Sequence, residues 1–338
     1  MLQLINNTVF SATCNTLPNA QGIDQLAVYV AAKFVLSNNQ WVVADEQPPC
    51  PLADEHWRDN TDASIKLPSQ ISFDKPASDI IINGAAMVPN GQAVSALEVS
   101  IEIGNNRQSL IIYGDRHWHR GQITAPASFT EMPLIWENAF GGTVELDNQP
   151  HAYAPNPYGK GWLPKHAPSN MQQGFMLPNI EQPNHLINSI KDTPTPACWA
   201  PVSPHMTQRA QFAGTYDNIW QKTRAPFVPT DFSPQFFNAA VPSLQYAGFI
   251  QGGESIRLTH FHPDGELIFT LPEVYLAGTV NTHYSDDALI FKNSAVVIDT
   301  HNLSAQLFWV AYVPILRTQA EIQAVTISLS RKRITAQF

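Results

Sequence analysis

The sequence is short of charge. Acidic and basic residues fill 14% of its 338 positions, against about 25% in an ordinary globular domain. That leaves neutral polar and aromatic surface open to a partner, or else reflects a long irregular region rich in Asn, Gln and Pro. The 28 acids outnumber the 19 bases, giving a net charge of −9. An acidic chain repels phosphate backbones, so no nucleic-acid partner is expected. The one basic run, Arg331-Lys332-Arg333, is too short to reverse this. Cysteine is scarce: Cys14, Cys50 and Cys198 are odd in number and widely spaced. This excludes a disulfide framework and a zinc knuckle and points to reduced thiols in a cytoplasmic setting. Long apolar runs are also missing. Residues 307–316 form the longest and Pro314 interrupts it; a membrane span needs about 20 residues, so no membrane partner is expected. The opening Met-Leu-Gln-Leu-Ile-Asn-Asn has neither a basic nor an apolar signal region, so no secretory leader is expected. There is no G-x-S-x-G elbow, phosphate loop, dinucleotide fingerprint or H-E-x-x-H helix, and no cofactor is expected.

Proline, by contrast, is abundant and unevenly placed. Of 27 prolines, 15 lie in residues 150–242. Proline removes a ladder donor and fixes φ, so this stretch cannot be an ordinary sheet. The flanks read as strands. Leu97, Val99, Ile101 and Ile103 alternate with Glu98, Ser100 and Glu102, a period of two. Gly104-Asn105-Asn106 turns the chain toward a partner strand at residues 109–113. Residues 256–260 and 266–271 flank the turn Pro263-Asp264-Gly265. Residues 296–299, 306–313 and 325–330 continue the pattern, and residues 307–313 are apolar on both parities, as in a strand covered on both faces. Residues 26–36 and 41–44 suggest a further hairpin. Helix signals are confined to residues 215–220 and to a capping box at Thr318-Gln319-Ala320-Glu321. The expected fold is mainly β: a β-sandwich or open barrel built from residues 1–140 and 243–338. A long Pro-rich irregular insertion, residues 141–242, and a few short helices complete a single domain spanning residues 1–338. The N-terminal flank carries most of the acid excess, and the insertion is neutral.

Few residues form a defensible catalytic set. His117 and His119 would share one face of a strand, as a metal site needs. A third ligand is lacking and Arg116 and Arg120 flank the pair, so no metal is expected. Asp54, Asp115 and Glu137 could supply paired carboxylates for a glycoside hydrolase, with Trp57 or Trp118 stacking on sugar, but no spacing rule joins them. The tryptophans are more telling. Trp57, Trp118, Trp136, Trp162, Trp199 and Trp220 lie in or beside turn-rich segments. Each either plugs the core beneath its loop or stands exposed as an interface anchor. The candidate partner-binding residues are Trp57, Trp118, Tyr158, Trp162, Phe175 and Trp199.

A series of short motifs recurs in a recognisable order. It runs from Leu4-Ile5-Asn6-Asn7-Thr8 through Ala53-Asp54-Glu55-His56-Trp57, Lys75-Pro76-Ala77-Ser78-Asp79, Asn83-Gly84, Gly114-Asp115-Arg116-His117-Trp118 and Pro133-Leu134. Glu137-Asn138-Ala139-Phe140-Gly141-Gly142, Asn156-Pro157-Tyr158-Gly159-Lys160-Gly161 and Leu177-Pro178-Asn179-Ile180-Glu181 follow. Ala213-Gly214-Thr215-Tyr216-Asp217, Trp220, Asp231-Phe232 and Phe236-Phe237-Asn238-Ala239-Ala240 complete it. In this order the chain resembles a family catalogued as a domain of unknown function and linked to type VI secretion as effector adaptors. Members usually have Arg where Asn138 stands and often Arg at Lys160, so no ionic role is carried over there. The resemblance implies a cytosolic, non-enzymatic adaptor or chaperone that stabilises a secreted toxin effector and helps load it onto the spike protein. It brings no catalytic residues. A carbohydrate-active hydrolase and a structural component of the secretion apparatus are the alternatives.

Overall fold

The computed structural model describes residues 2–38, 40–58, 62–282, 286–315 and 322–331. The fold is mainly β, with several sheets in a sandwich-like arrangement and no closed barrel among the described residues. The alternation at residues 97–103 produces the strand Ala96–Ile103, whose hairpin partner is Asn106–Tyr113. Ser255–Thr259 pairs with the other edge of Ala96–Ile103, and Glu266–Thr270 pairs in turn with Ser255–Thr259. With Ile180–Glu181 on the far side, these make a five-stranded sheet.

The seven-stranded sheet is also built from both flanks. Its order is Gln245–Ala247, Ala77–Asn83, Lys292–Asp299, Ser304–Pro314, Asp24–Ser37 and Ser11–Pro18. Gln40–Val43 shares the last edge, pairing with residues 34–37 where Ser11–Pro18 stops at Ala31. The gap is bridged by Gln47. Its side-chain oxygen accepts from the Lys33 N–H (2.8 Å) and its amide donates to the Lys33 carbonyl (2.9 Å). The side chain thus takes the place of the missing strand residue and pairs both backbone groups of Lys33. Leu307 to Ala311 are buried on both parities, as expected for a strand with both faces covered. A third sheet joins Gln3–Asn7, Ile322–Leu329, Leu276–Thr282 and Asp286–Leu289.

Ala77–Asn83 is buried throughout and runs parallel to Lys292–Asp299. It carries no alternation to reveal it; the run Ile80-Ile81-Ile82 is bounded instead by Pro76 and Gly84. Residues 141–242 hold only short elements: the hairpin Thr143–Leu146 with Gln149–Ala152, two-residue strands, the helices Thr207–Ala210 and Asn218–Thr223, and 3-10 turns such as Ser169–Gln172 and Pro234–Phe237. The second helix is capped by Asp217, whose carboxylate accepts from the Ile219 and Trp220 N–H groups. The capping box at residues 318–321 lies outside the described residues, as do residues 332 and 333 of the basic run.

Candidate functional site

Most motif residues serve the scaffold. Lys75 and Asp79 form a buried ion pair at 2.7 Å. The remaining Asp79 capacity accepts from the Ala239 N–H (2.7 Å) and the Asn238 amide (2.9 Å). One carboxylate therefore fastens Lys75-Pro76-Ala77-Ser78-Asp79 to Asn238-Ala239-Ala240. Burial lowers the pKa of Lys75 and the Asp79 charge opposes that shift. A second buried pair, Arg116 with Glu181, joins Gly114-Asp115-Arg116 to Asn179-Ile180-Glu181. The Arg116 guanidinium also donates to the Pro178 carbonyl and stacks 3.8 Å above the centre of the Tyr113 ring. Asn156 donates to the Trp136 and Phe140 carbonyls, clasping Phe140-Gly141-Gly142 to Asn156-Pro157-Tyr158. A Cβ on Gly141 would fall 2.1 Å from the Asn156 carbonyl oxygen, so this contact requires glycine. Asp231 accepts from both the N–H and the hydroxyl of Thr215, tying two further motifs together.

Four motif residues converge elsewhere. Trp57, Asn83, Gly84 and Pro133 line a groove of about 330 Å³ together with Met87, Glu131, Ile135 and the turn Asp299 to Asn302. That volume lies at the lower end of ligand-sized clefts. The groove sits where the parallel strands Ala77–Asn83 and Lys292–Asp299 end side by side. Trp57 follows the short strand Glu55–His56, and its N–H donates to the Ser64 carbonyl (3.1 Å). Its side chain is 41% exposed. Lys66, on the facing strand Ile65–Leu67, holds its ammonium 5.2 Å from the centre of the indole ring. Gly84 lets the Thr300 turn press against the strand end: a Cβ there would lie 2.1 Å from the Thr300 hydroxyl. Asp299 fixes that turn, accepting from the His301 and Asn302 N–H groups. Asn83 donates to the Lys66 carbonyl, and its own side-chain oxygen has no partner among the described residues. An indole face with Met87, Pro133 and Ile135 beside two carboxylates and an ammonium suits an amphipathic guest such as a protein segment.

The other candidate residues are distributed differently. Trp118 and Trp199 are 4% and 3% exposed and cannot be surface anchors. Trp118 packs with Phe140, Leu177 and Ile187 in a second apolar cluster. Trp199 stacks on Phe261 within the main core, with centroids 5.9 Å apart. Trp162 and Phe175 are half-buried against the second cluster, and Tyr158 is half-buried with its hydroxyl donating to Ser203. The exposed apolar side chains in residues 141–242 include Tyr216 and Ile219, which spacing within the turn-rich motifs did not single out. The three candidate carboxylates are separately engaged: Asp54 accepts from the Ser69 N–H, Asp115 from the Asn179 amide, and Glu137 from the Ser64 N–H and hydroxyl. His119 meets the Gln173 amide at 2.9 Å. No cluster of three or more metal-ligating side chains occurs among the described residues. Burial pushes the Cys50 and Cys198 thiols up to about 12, which keeps them from acting as nucleophiles near neutrality.

No described helix is long and apolar enough to cross a membrane. Comparison with curated proteins and with solved structures gives no match. A family model matches residues 21–310, most of the chain, and its description is "Uncharacterized protein conserved in bacteria (DUF2169)". The chain belongs to that bacterial family.

Proposed function

We propose that the protein is a non-enzymatic adaptor of type VI secretion, which binds a toxin effector in the cytoplasm, stabilises it and hands it to the spike. The observation that carries this reading is the Trp57 groove. Four residues from the motifs that resemble the adaptor family line it, and its wall displays a large aromatic side chain to solvent. Interfaces are anchored by such aromatics seated in partly apolar pockets. The engagement of Asp54, Asp115 and Glu137 in separate structural hydrogen bonds favours binding over glycoside hydrolysis. Tyr216 and Ile219, 55% and 70% exposed, supply a second apolar surface for a large partner.

Co-expression with the toxin encoded beside the gene tests this. Trp57→Ala should cut complex affinity by about 30-fold or more, the equivalent of a ~2 kcal/mol hot spot. The melting of the adaptor itself should barely move, because the indole is largely outside the core. Unchanged complex recovery for Trp57→Ala would remove the groove from the interface. Failure of the wild-type chain to bind any neighbouring toxin would overturn the adaptor reading.

A further inference from the structure

The five-stranded sheet has two edges. At the edge Glu266–Thr270 the Trp41 indole donates to the Thr270 carbonyl (2.8 Å) and packs edge-on against Phe269, and Ile268 is 50% exposed. The opposite edge, Asn106–Tyr113, is covered over only part of its length. Ile180–Glu181 pairs with Ile111 and Ile112 alone, and the Tyr113 N–H donates to the Asn179 carbonyl. Strand parity puts the Ser109 and Arg107 backbone groups on the same outward side as those of Tyr113 and Ile111. Ser109 and Arg107 have no backbone partner there among the described residues.

A groove of about 480 Å³ runs beside this open stretch, touching Gln108, Ser109 and Leu110. Its far walls include Pro183, Pro196 and Pro242, which have no N–H to offer a strand edge. Chain lies beside the edge without closing it. None of the residues lining the groove is charged, in a protein of net charge −9. Gln208, on the wall, has a side-chain oxygen with no hydrogen-bond partner among the described residues.

We propose that this edge is a docking site for an extended, uncharged polypeptide segment of a protein partner. The segment adds to the five-stranded sheet as a short strand beside residues 107–109. Backbone hydrogen bonds to Ser109 and Arg107 supply the pairing, and the neutral groove selects against charged side chains facing it. The proposal rests on reading the protein as a binder of other proteins, but it concerns a surface separate from the Trp57 groove.

The probe is a displayed library of random ten-residue peptides selected on the immobilised full-length chain. Selected peptides are then synthesised and titrated by fluorescence anisotropy. Ser109→Pro deletes the outward donor without removing a ladder bond to Ala96–Ile103, the position at which an edge strand tolerates proline. It should weaken peptide binding by about 10-fold or more, whereas Ser109→Ala should stay within about twofold. N-methylating alternate peptide amides should abolish binding in one register and spare it in the other, since only every second amide faces the sheet. This second readout uses the wild-type protein and decides the matter even if Ser109→Pro fails to fold. Selection of no binding peptide would overturn the proposal, as would binding indifferent to both N-methyl registers. Absence of peptide binding to the wild-type chain with intact toxin co-purification counts against the edge site alone. Intact peptide binding with no toxin partner counts against the adaptor reading alone.

Discussion

Replacing Asp79 with Asn tests whether the Lys75–Asp79 pair holds the central insertion to the seven-stranded sheet. The carboxylate satisfies three donors: Lys75 Nζ and the Ala239 N–H on one oxygen, and the Asn238 amide on the other. An Asn side chain can turn its single oxygen to only one side. Facing Lys75, its NH2 meets the NH2 of Asn238. Facing Asn238, it meets the ammonium and the Ala239 N–H. Asn238 cannot flip to help, because its amide also donates to the Ala77 carbonyl. Either arrangement opposes donors and leaves a buried ammonium without a counter-charge. Removing one partner of a buried pair costs about 3–5 kcal/mol, a large share of a typical total of about 5–15 kcal/mol.

The same change should leave a pH signature. Burial, with the Arg209 charge in support, already pulls the Lys75 pKa down, and Asp79 resists. Without Asp79 the folded-state pKa falls further below the unfolded value. Between those two values the unfolded chain holds a proton that the folded chain has lost, so stability rises with pH. The destabilisation is full below the folded pKa and is relieved as pH climbs toward the unfolded one. Urea unfolding of Asp79→Asn at about pH 7 and about pH 9.5 should show a gain of up to ~1.4 kcal/mol per pH unit within that window. Adding Lys75→Met removes the ammonium and should flatten the slope. A loss below about 1 kcal/mol, or a slope that survives Lys75→Met, would refute this account.

Gly84→Ala should destabilise by about 1–3 kcal/mol through overpacking against Thr300; Thr300→Ala should recover part of that loss, and additive effects in a double-mutant cycle would show that the two do not collide. Iodoacetamide at about pH 8, with products counted by mass spectrometry, should label Cys50 and Cys198 in the unfolded chain but not in the folded one, since a thiol at about 12 is only ~1 part in 10⁴ thiolate at that pH. Residues 1–140 expressed alone should be insoluble or lack a cooperative melt, because Asp24–Ser37, Ala77–Asn83 and Ala96–Ile103 all lose paired strands from the other flank; a soluble, sharply melting fragment would count against a shared core.

Much of the sheet architecture was legible because amphipathic strands write their period into the chain. Leu97 to Ile103, Ile256 to Leu258 and Val325 to Leu329 all fall within strands. Ala77–Asn83 was not, because a strand buried on both faces has no polar phase to display. The tryptophans show a different limit. Trp57 and Trp118 sit in similar local company, each directly after a histidine in a short loop motif that contains an Asp. Only distant chain separates their fates. The Phe175 carbonyl and the Leu177 side chain come back over Trp118 and bury it, while the strand facing Trp57 brings the Lys66 ammonium to its ring and leaves it 41% exposed. No local pattern encodes which loop is covered.

That contrast explains how an irregular, Pro-rich insertion can hold a fixed shape. Residues 141–242 have few ladder bonds of their own, so their order depends on attachments made to other segments. Asp79 holds Asn238 and Ala239, Arg116 holds Glu181, and the Trp136 indole donates to the Pro201 carbonyl at 2.8 Å. Each attachment is a buried polar group that is costly to leave unpaired, so the insertion is strongly favoured to dock where all of them are met. Proline serves the same end by lowering the entropy of the undocked chain. It also places Pro183, Pro196 and Pro242, which have no N–H to offer, in the wall of the groove beside Ser109. The same residue type that makes this region unreadable as a sheet thus borders the open strand edge.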